Sequence, residues 1–427
     1  MPAARHLPAL LFLLSIAIAA PVIAADWPRF RGVNGSGTSD TKNLPREWSD
    51  AAGVVWKTEL PGPGASSPIV IGDQIFVTSY RGVTTSDAGD LSKLEYVLSS
   101  FDAKTGQLQW QQIEHAKPGE DRYEGFLASH GYASSTPTSD GKRVFAFYGK
   151  SGVYAYDLQG RKLWSQDVGK GSAPVNWGSA NSPIIYKNLL IVPAASESKT
   201  LFAFDVETGK EAWKITADGF YGTWTTPGLV TVATGKQELV MSVPHEIWGI
   251  DPETGEFLWF CEGIRDDGVC TSVVIEGDMV YAVGGRGGSA VAVRAGGKDD
   301  VTKTHVKWTK SIGSYVTSPV IQGDHLYWVN DRGLAICLSL ADGATVFQSR
   351  VPDAGQTYAS VLAADGKLYA VTRQNGTFVL AASPKFELLA RVVFAPAEEI
   401  FNASPAVSDG HLLLRSDKYL YCVGGAK

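Results

Sequence analysis

Short apolar runs alternate with turn residues along the chain, and no segment shows the spacing of an amphipathic helix. A Gly-Asp or Asp-Gly turn separates successive runs, as at Gly72-Asp73 and Asp365-Gly366. A small polar residue before proline opens the first run of most units: Ser67-Pro68, Thr136-Pro137, Ser182-Pro183, Thr226-Pro227, Ser318-Pro319 and Ser404-Pro405. This pattern predicts short antiparallel strands joined by tight turns.

A third apolar run in several units leads into a Thr-Gly turn and then a tryptophan. The clearest copies are Asp102 to Trp110, Asp205 to Trp213 and Asp251 to Trp259. The units recur about every 40–50 residues, which is the length of a four-stranded propeller blade. We expect the tryptophans to pack between neighbouring blades, because a large ring on an outer strand buries much apolar surface there.

Seven complete units begin near Ala65, Ala133, Gly178, Thr223, Cys270, Val316 and Tyr358, and an eighth begins at Asn402. The eighth unit stops at Val423 with three strands, whereas residues 54–57 form an isolated strand containing Trp56. An open ring would expose unpaired sheet edges. The sequence therefore predicts an all-β, eight-bladed β-propeller of four-stranded antiparallel blades, closed by an N-terminal strand that completes the last blade.

The chain divides into three predicted parts. Residues 1–25 carry Arg5, an apolar run and small residues at Ala24 and Ala25, which is typical of a cleaved signal peptide. An uncleaved membrane anchor is the alternative for this segment. Residues 26–53 form an extension expected to pack on the ring, and residues 54–427 form the propeller. No later run is long enough to span a bilayer, so we expect an exported, periplasmic or extracellular protein that does not span the membrane.

The net charge of −6 gives no indication of nucleic-acid binding. Export would permit disulfides, and a bridge between Cys261 and Cys270 is left open by their spacing. Cys337 and Cys422 occupy a small apolar repeat position and are expected in the core. The histidines are scattered, and neither a catalytic set nor a metal site is predicted.

The repeat signature Asp-x-x-Thr-Gly-x-x-x-Trp resembles that of the pyrroloquinoline quinone (PQQ)-like propellers, over about residues 54–424. One branch of that family, the quinoprotein alcohol dehydrogenases, binds PQQ and calcium and typically carries adjacent cysteines, which this chain lacks. The other is the BamB-like branch of non-enzymatic envelope scaffolds. The resemblance implies a BamB-like scaffold without a cofactor that binds an envelope protein or a small anionic ligand. The alternative is a PQQ-dependent oxidoreductase with its cofactor at the axial mouth.

One face of the predicted ring carries the loops before the first strand and those between the second and third strands of each blade. Cations recur in the second set of loops, at Arg81, Arg286, Arg332, Arg373 and Arg415, and also at Lys150, Lys199 and His245. Aromatic residues recur in the first set, at Tyr132, Trp177, Trp224, Tyr315, Tyr358 and Phe401. Arginine forks bind carboxylates, so this face is the predicted ligand or partner surface. Ordinary turn and strand preferences would also produce these patterns.

Overall fold

The computed structural model describes residues 26–49, 51–84, 89–123, 130–394 and 398–424. Within this part of the chain the strands form eight sheets around a common axis, and each sheet has four antiparallel strands. The predicted eight-bladed propeller is confirmed. Strands are lettered a to d from the axis outwards.

Blades 1 to 4 follow one another along the chain. Their strands a to d are Ile69–Ile71, Gln74–Arg81, Glu95–Asp102 and Leu108–His115 in blade 1; Thr138–Ser139, Arg143–Phe147, Val153–Asp157 and Lys162–Gln166 in blade 2; Ile184–Tyr186, Leu189–Ala194, Thr200–Asp205 and Glu211–Thr216 in blade 3; and Gly228–Thr231, Gln237–Val243, Glu246–Ile250 and Phe257–Glu262 in blade 4.

Blades 5 to 8 complete the circle. Their strands a to d are Val274–Glu276, Met279–Gly284, Ser289–Arg294 and Val306–Lys310 in blade 5; Val320–Gln322, His325–Val329, Leu334–Ser339 and Thr345–Arg350 in blade 6; Leu362–Ala364, Lys367–Val371, Thr377–Ala381 and Leu388–Val392 in blade 7; and Ala406–Ser408, His411–Arg415, Tyr419–Val423 and Val54–Glu59 in blade 8.

Two short strands add parallel edges: Thr38–Ser39 pairs with strand a of blade 7, and Asp299–Asp300 pairs with strand d of blade 4. Helical structure in the described residues is confined to single turns. The α-helical turns are Ala195–Ser198 and Thr302–His305, and the 3-10 turns are Val33–Gly35, Leu91–Lys93, Gly149–Ser151, Pro174–Asn176 and Asp218–Phe220.

The N-terminal strand closes the ring. Val54–Glu59 runs antiparallel to Tyr419–Val423, with Val54 opposite Val423 and Glu59 opposite Tyr419. This pairing gives blade 8 its fourth strand and leaves no unmatched blade where the two ends of the array meet. The sequence predicted this arrangement from the isolated strand around Trp56.

The repeat signature joins one blade to the next. Gly106 has φ 70°, and a Cβ at this position would lie 2.5 Å from the Trp56 ring, so glycine is required where the ring packs. The Trp56 indole N–H donates to the carbonyl of Ala103 at 3.1 Å. The same ring-on-glycine contact recurs for Trp110 and Gly160, Trp164 and Gly209, Trp213 and Gly255, and Trp308 and Gly343.

Eight hydroxyls form a closed circle of hydrogen bonds around the axis. Each hydroxyl oxygen accepts the backbone N–H of the equivalent residue in the preceding blade, at 2.9–3.2 Å. This hydroxyl ring consists of Ser67, Thr136, Ser182, Thr226, Ser272, Ser318, Ser360 and Ser404. The recurrent small polar residue before strand a is therefore the link between the inner edges of neighbouring blades.

Residues 26–49 cross the end of the channel near the a–b turns. Trp27 pairs its backbone with Val70 in blade 1. The Arg29 side chain donates to the carbonyl of Pro227 in blade 4 at 3.1 Å, and that of Arg31 donates to the carbonyl of Pro319 in blade 6. This segment therefore ties distant blades together and places Phe30 on the axis, where it lines the central cavity.

The expected signal peptide lies outside the described residues and stays a prediction. In the part of the chain that is described, no helix has the length and apolar character needed to cross a membrane.

Candidate functional site

A cavity of about 180 Å³ opens on the propeller axis. Four aromatic side chains line the cavity, and each comes from the loop before strand a of its blade: Trp177, Trp224, Tyr315 and Tyr358. Phe30 completes this aromatic cup from the N-terminal segment. Six members of the hydroxyl ring line the same cavity: Ser67, Thr226, Ser272, Ser318, Ser360 and Ser404. The site therefore combines aromatic faces with hydroxyl groups around a space that would hold a small molecule.

The cup is assembled by ring contacts between blades. Trp177 lies 5.1 Å from Trp224 and 5.8 Å from Tyr315, measured between ring centroids. The Trp224 indole N–H donates to the carbonyl of Gly178 at 2.8 Å, which fixes the orientation of its ring. The predicted aromatic positions Trp177, Trp224, Tyr315 and Tyr358 are thus brought together.

Arg286 forms the rim of the cup on the blade 5 side. Its guanidinium carbon lies 5.4 Å from the Trp177 centroid and 4.9 Å from the Tyr315 centroid. Its Nη2 donates to the Tyr315 hydroxyl at 2.7 Å, and this bond raises the pKa of Arg286 further. Because Arg286 stays exposed, it presents a fixed, permanently charged fork beside the aromatic faces.

A groove of about 520 Å³ runs outwards from this rim between blades 5 and 6. Arg286, Tyr315 and Arg332 line it, so Tyr315 belongs to both the cavity and the groove. The Arg332 side chain is 75% exposed. On blade 7, Arg373 lies 4.8 Å from the Tyr358 centroid and bonds Asn402 and Gln356 at 3.0 Å each. Three of the predicted cations therefore surround one side of the cup.

The prediction for Tyr132 was wrong. Tyr132 is only 7% exposed and packs in the blade 1–2 core, with its ring 4.4 Å from Tyr123 and its hydroxyl donating to the carbonyl of Asp121. His130 lines the cavity instead. Burial lowers the pKa of His130, which favours the neutral ring. The sequence shows which repeat position Tyr132 occupies, but it does not show the course of the loop before strand a. That course decides whether Tyr132 or His130 faces the cavity.

Arg415 was also wrongly placed on the accessible face. It is 1% exposed and fills the contact between blades 8 and 1, donating to the Ser66 carbonyl at 2.6 Å and the Ser79 hydroxyl at 3.2 Å. Burial lowers its pKa to about 9. Arg81 is partly exposed but forms an ion pair with Glu95. Neither residue lines the cavity or the groove.

The other predicted cations do not form a continuous basic ring. Lys150 is 9% exposed and its ammonium pairs with Asp121 at 2.8 Å. Beside it the sequence analysis missed Glu197, which is 4% exposed and accepts a hydrogen bond from Ser179. Burial raises the pKa of Glu197 to about 7. Lys150 and Glu197 lie together near the contact between blades 2 and 3, and neither lines the axial cavity or the groove.

The cysteines are free thiols, including the pair for which a bridge was left open. Cys261 is fully buried in the apolar cluster between blades 4 and 5, whereas Cys270 lines the axial cavity. The two side chains therefore occupy different environments although only eight positions separate them. Burial raises the pKa of each thiol to about 12, so both are neutral at physiological pH.

The lining of the cavity matches only part of what the calcium and quinone of the alcohol dehydrogenases would need. The aromatic cup could stack on a planar ring, but the described lining contains no aspartate or glutamate. Nor do the described residues contain a group of three or more His, Cys, Asp or Glu side chains able to hold a metal. Calcium prefers carboxylate oxygens, so these residues do not match its donor requirements.

Comparison with known proteins identifies a family match. The protein-family model described as outer membrane protein assembly factor BamB matches residues 47–259 and 93–349 of this chain. Polyvinylalcohol dehydrogenase from a Pseudomonas species is 24% identical over 369 residues, covering 64% of this chain. The alignment spans only 57% of that relative's length.

Solved structures share the fold at low sequence identity. BamB from Moraxella catarrhalis superposes with a TM-score of 0.62 and 14% identity, covering 87% of this chain and 97% of that one. Quinohemoprotein alcohol dehydrogenase from Comamonas testosteroni gives 0.57 and 12%, covering 94% and 81%. These similarities are at the level of the fold, which both kinds of protein share.

Proposed function

The chain belongs to the family described as outer membrane protein assembly factor BamB, and we propose that it is an exported, non-enzymatic scaffold that binds an envelope protein. The binding surface is the loop face, which is the side of the ring that carries the loops before strand a and those between strands b and c. One observation carries this proposal. Arg286 is held against Trp177 and Tyr315 while its guanidinium remains exposed at the entrance to the groove. Interface residues that dominate binding energy are most often Trp, Tyr and Arg in such clusters.

The charges favour an acidic partner segment. Arg286 and Arg332 line the groove, and Arg373 lies on the same side of the cup, whereas the whole chain carries a net charge of −6. Asp331, the acidic residue in the described lining of the groove, lies 3.9 Å from Arg332 and offsets one of these three positive charges. These cations attract the carboxylates of an acidic partner, whereas the acidic remainder of the surface repels such a partner, so binding is directed to the groove. The groove volume of about 520 Å³ would accommodate a few residues of a peptide chain between blades 5 and 6.

Support for an envelope location comes from two sources. Residues 1–25 have the charge and apolar pattern of a signal peptide. The family description names an outer membrane assembly factor. Together they favour a scaffold that works outside the cytoplasm.

The second candidate is a PQQ-dependent oxidoreductase. It is favoured by the similarity to polyvinylalcohol dehydrogenase and by the planar aromatic faces of the cup. Adding PQQ and calcium to purified protein tests it. A red-shifted absorbance with dye-linked alcohol oxidation would support the enzyme and overturn the scaffold proposal.

The scaffold proposal is tested by capture from solubilised envelope. We expect the Arg286→Ala, Arg332→Ala, Arg373→Ala triple variant to lose a partner that the unmodified protein retains. The matched control replaces Lys104, Arg161 and Arg294, which are exposed on the opposite face, and should retain that partner. Equal capture by both triple variants, with the fold intact by circular dichroism, would reject the loop face as the interface.

A further inference from the structure

The hydroxyl ring contains unused hydrogen-bond donors. Each of its eight oxygens accepts one backbone N–H, but none donates its own proton to an acceptor within the described residues. A serine or threonine hydroxyl offers one donor besides its acceptor lone pairs. Because six of these residues line the cavity, their protons are available to a group placed on the axis.

The surroundings of the ring are electropositive. Arg31 is 1% exposed and Arg29 is 7% exposed, and no carboxylate within the described residues forms an ion pair with either. The Nε atoms of both arginines and the Nη1 of Arg31 have no hydrogen-bond partner. Desolvation by burial lowers the pKa of Arg31 to about 9, and the nearby charge of Arg29 adds to this effect.

These two arginines lie close to the hydroxyl ring. They bond the carbonyls of Pro227 and Pro319, which directly follow the ring residues Thr226 and Ser318. Two buried cations without a counter-charge are costly in a low-dielectric interior. An anion in the adjacent cavity would offset part of that cost. Acidic side chains are absent from the described lining, so nothing there would repel it.

We propose that the axial cavity binds a small carboxylic acid, separately from the partner interface at the rim. Its carboxylate accepts hydrogen bonds from an arc of the hydroxyl ring, and its apolar part contacts the aromatic cup. The cavity volume of about 180 Å³ limits the guest to a single small ring or a short chain, since a cavity of about 150 Å³ holds benzene. The carboxylate comes either from a free acid or from the C-terminus of a peptide.

Isothermal titration of the unmodified full chain with benzoate tests this proposal, with benzamide as a neutral ligand of the same shape. We expect benzoate to bind at least about tenfold more tightly, because hydrogen bonds to a charged acceptor are roughly twice as strong as neutral ones. A short peptide with a free C-terminus and its amidated form then distinguish the two sources. Equal binding of benzoate and benzamide, or binding of neither, would overturn the proposal.

Substitution within the ring locates the site. Ser360→Ala removes one donor that lines the cavity, whereas Ser360→Thr keeps a hydroxyl, as Thr136 and Thr226 do at equivalent positions. We expect the alanine variant to bind benzoate several-fold more weakly and the threonine variant to bind it normally. Unchanged affinity in the folded alanine variant would place the carboxylate elsewhere and contradict the proposal.

Discussion

Replacing Ser318 with alanine tests whether the hydroxyl ring holds neighbouring blades together. Ser318 is 1% exposed, and its hydroxyl accepts the backbone N–H of Ser272 at 2.9 Å. The substitution leaves that N–H buried without an acceptor and creates almost no cavity. An unsatisfied buried donor costs about 1–3 kcal/mol, so we expect the free energy of unfolding to fall by that amount.

Urea unfolding, followed by circular dichroism and by tryptophan fluorescence, measures this change. Coincident transitions by the two probes are needed before a free energy is derived. The same loss corresponds to a lower melting temperature by about 1–4 °C, because the unfolding entropy is about 2.1 cal/mol/K per residue. The threonine variant at the same position is the matched control and should lose much less, since threonine already serves in blades 2 and 4.

The refuting result is a Ser318→Ala variant whose stability lies within about 0.5 kcal/mol of the unmodified protein, as is usual for substitutions that break no specific contact. The closed circle of hydrogen bonds would then be a geometric coincidence of the strand a positions. A threonine variant as destabilised as the alanine variant would contradict the reasoning equally, because its hydroxyl is retained.

Three further outcomes are expected. Trp56→Ala should lower the free energy of unfolding by about 3–5 kcal/mol in urea titrations, whereas Val55→Ala, 51% exposed on the same strand, should change it little. Glu197 has its folded pKa raised from 4.5 to about 7 by burial, so the native state holds a proton that the unfolded state releases. Stability should therefore fall as pH rises from about 4.5 to about 7, and Glu197→Gln should reduce that slope in melts across this range. Alkylation of the unfolded protein without a reducing agent should modify all four cysteines, as measured by mass spectrometry. A disulfide between Cys261 and Cys270 would leave these two cysteines unmodified and would contradict the prediction.

The fold was predictable because the residues that define it act locally. The Asp102 carboxylate accepts hydrogen bonds from the Thr105 backbone and hydroxyl at 2.8 and 2.9 Å, so the signature folds its own turn. Gly106 then takes a positive φ and receives the ring of Trp56 from the neighbouring blade. The strand around Trp56 was recognisable as the missing part of blade 8 because it repeats this pattern.

The site was less predictable because its members meet across blades. Arg286 and Arg415 occupy equivalent loop positions, but one is exposed beside Trp177 and the other is buried against Ser66. The difference depends on which neighbour leaves space, which the local sequence does not encode. The small polar residues of the hydroxyl ring were visible as a repeat, yet their bonds join residues more than 40 positions apart.

Site-specific photo-crosslinking in envelope fractions tests the central claim most directly. A photoreactive phenylalanine replaces Ser311, an exposed residue that lines the groove, or Lys104, which is 67% exposed on the opposite face. The scaffold proposal predicts a discrete adduct with one envelope protein from position 311 and none from position 104. Equal adducts from both positions, or none from position 311, would contradict it.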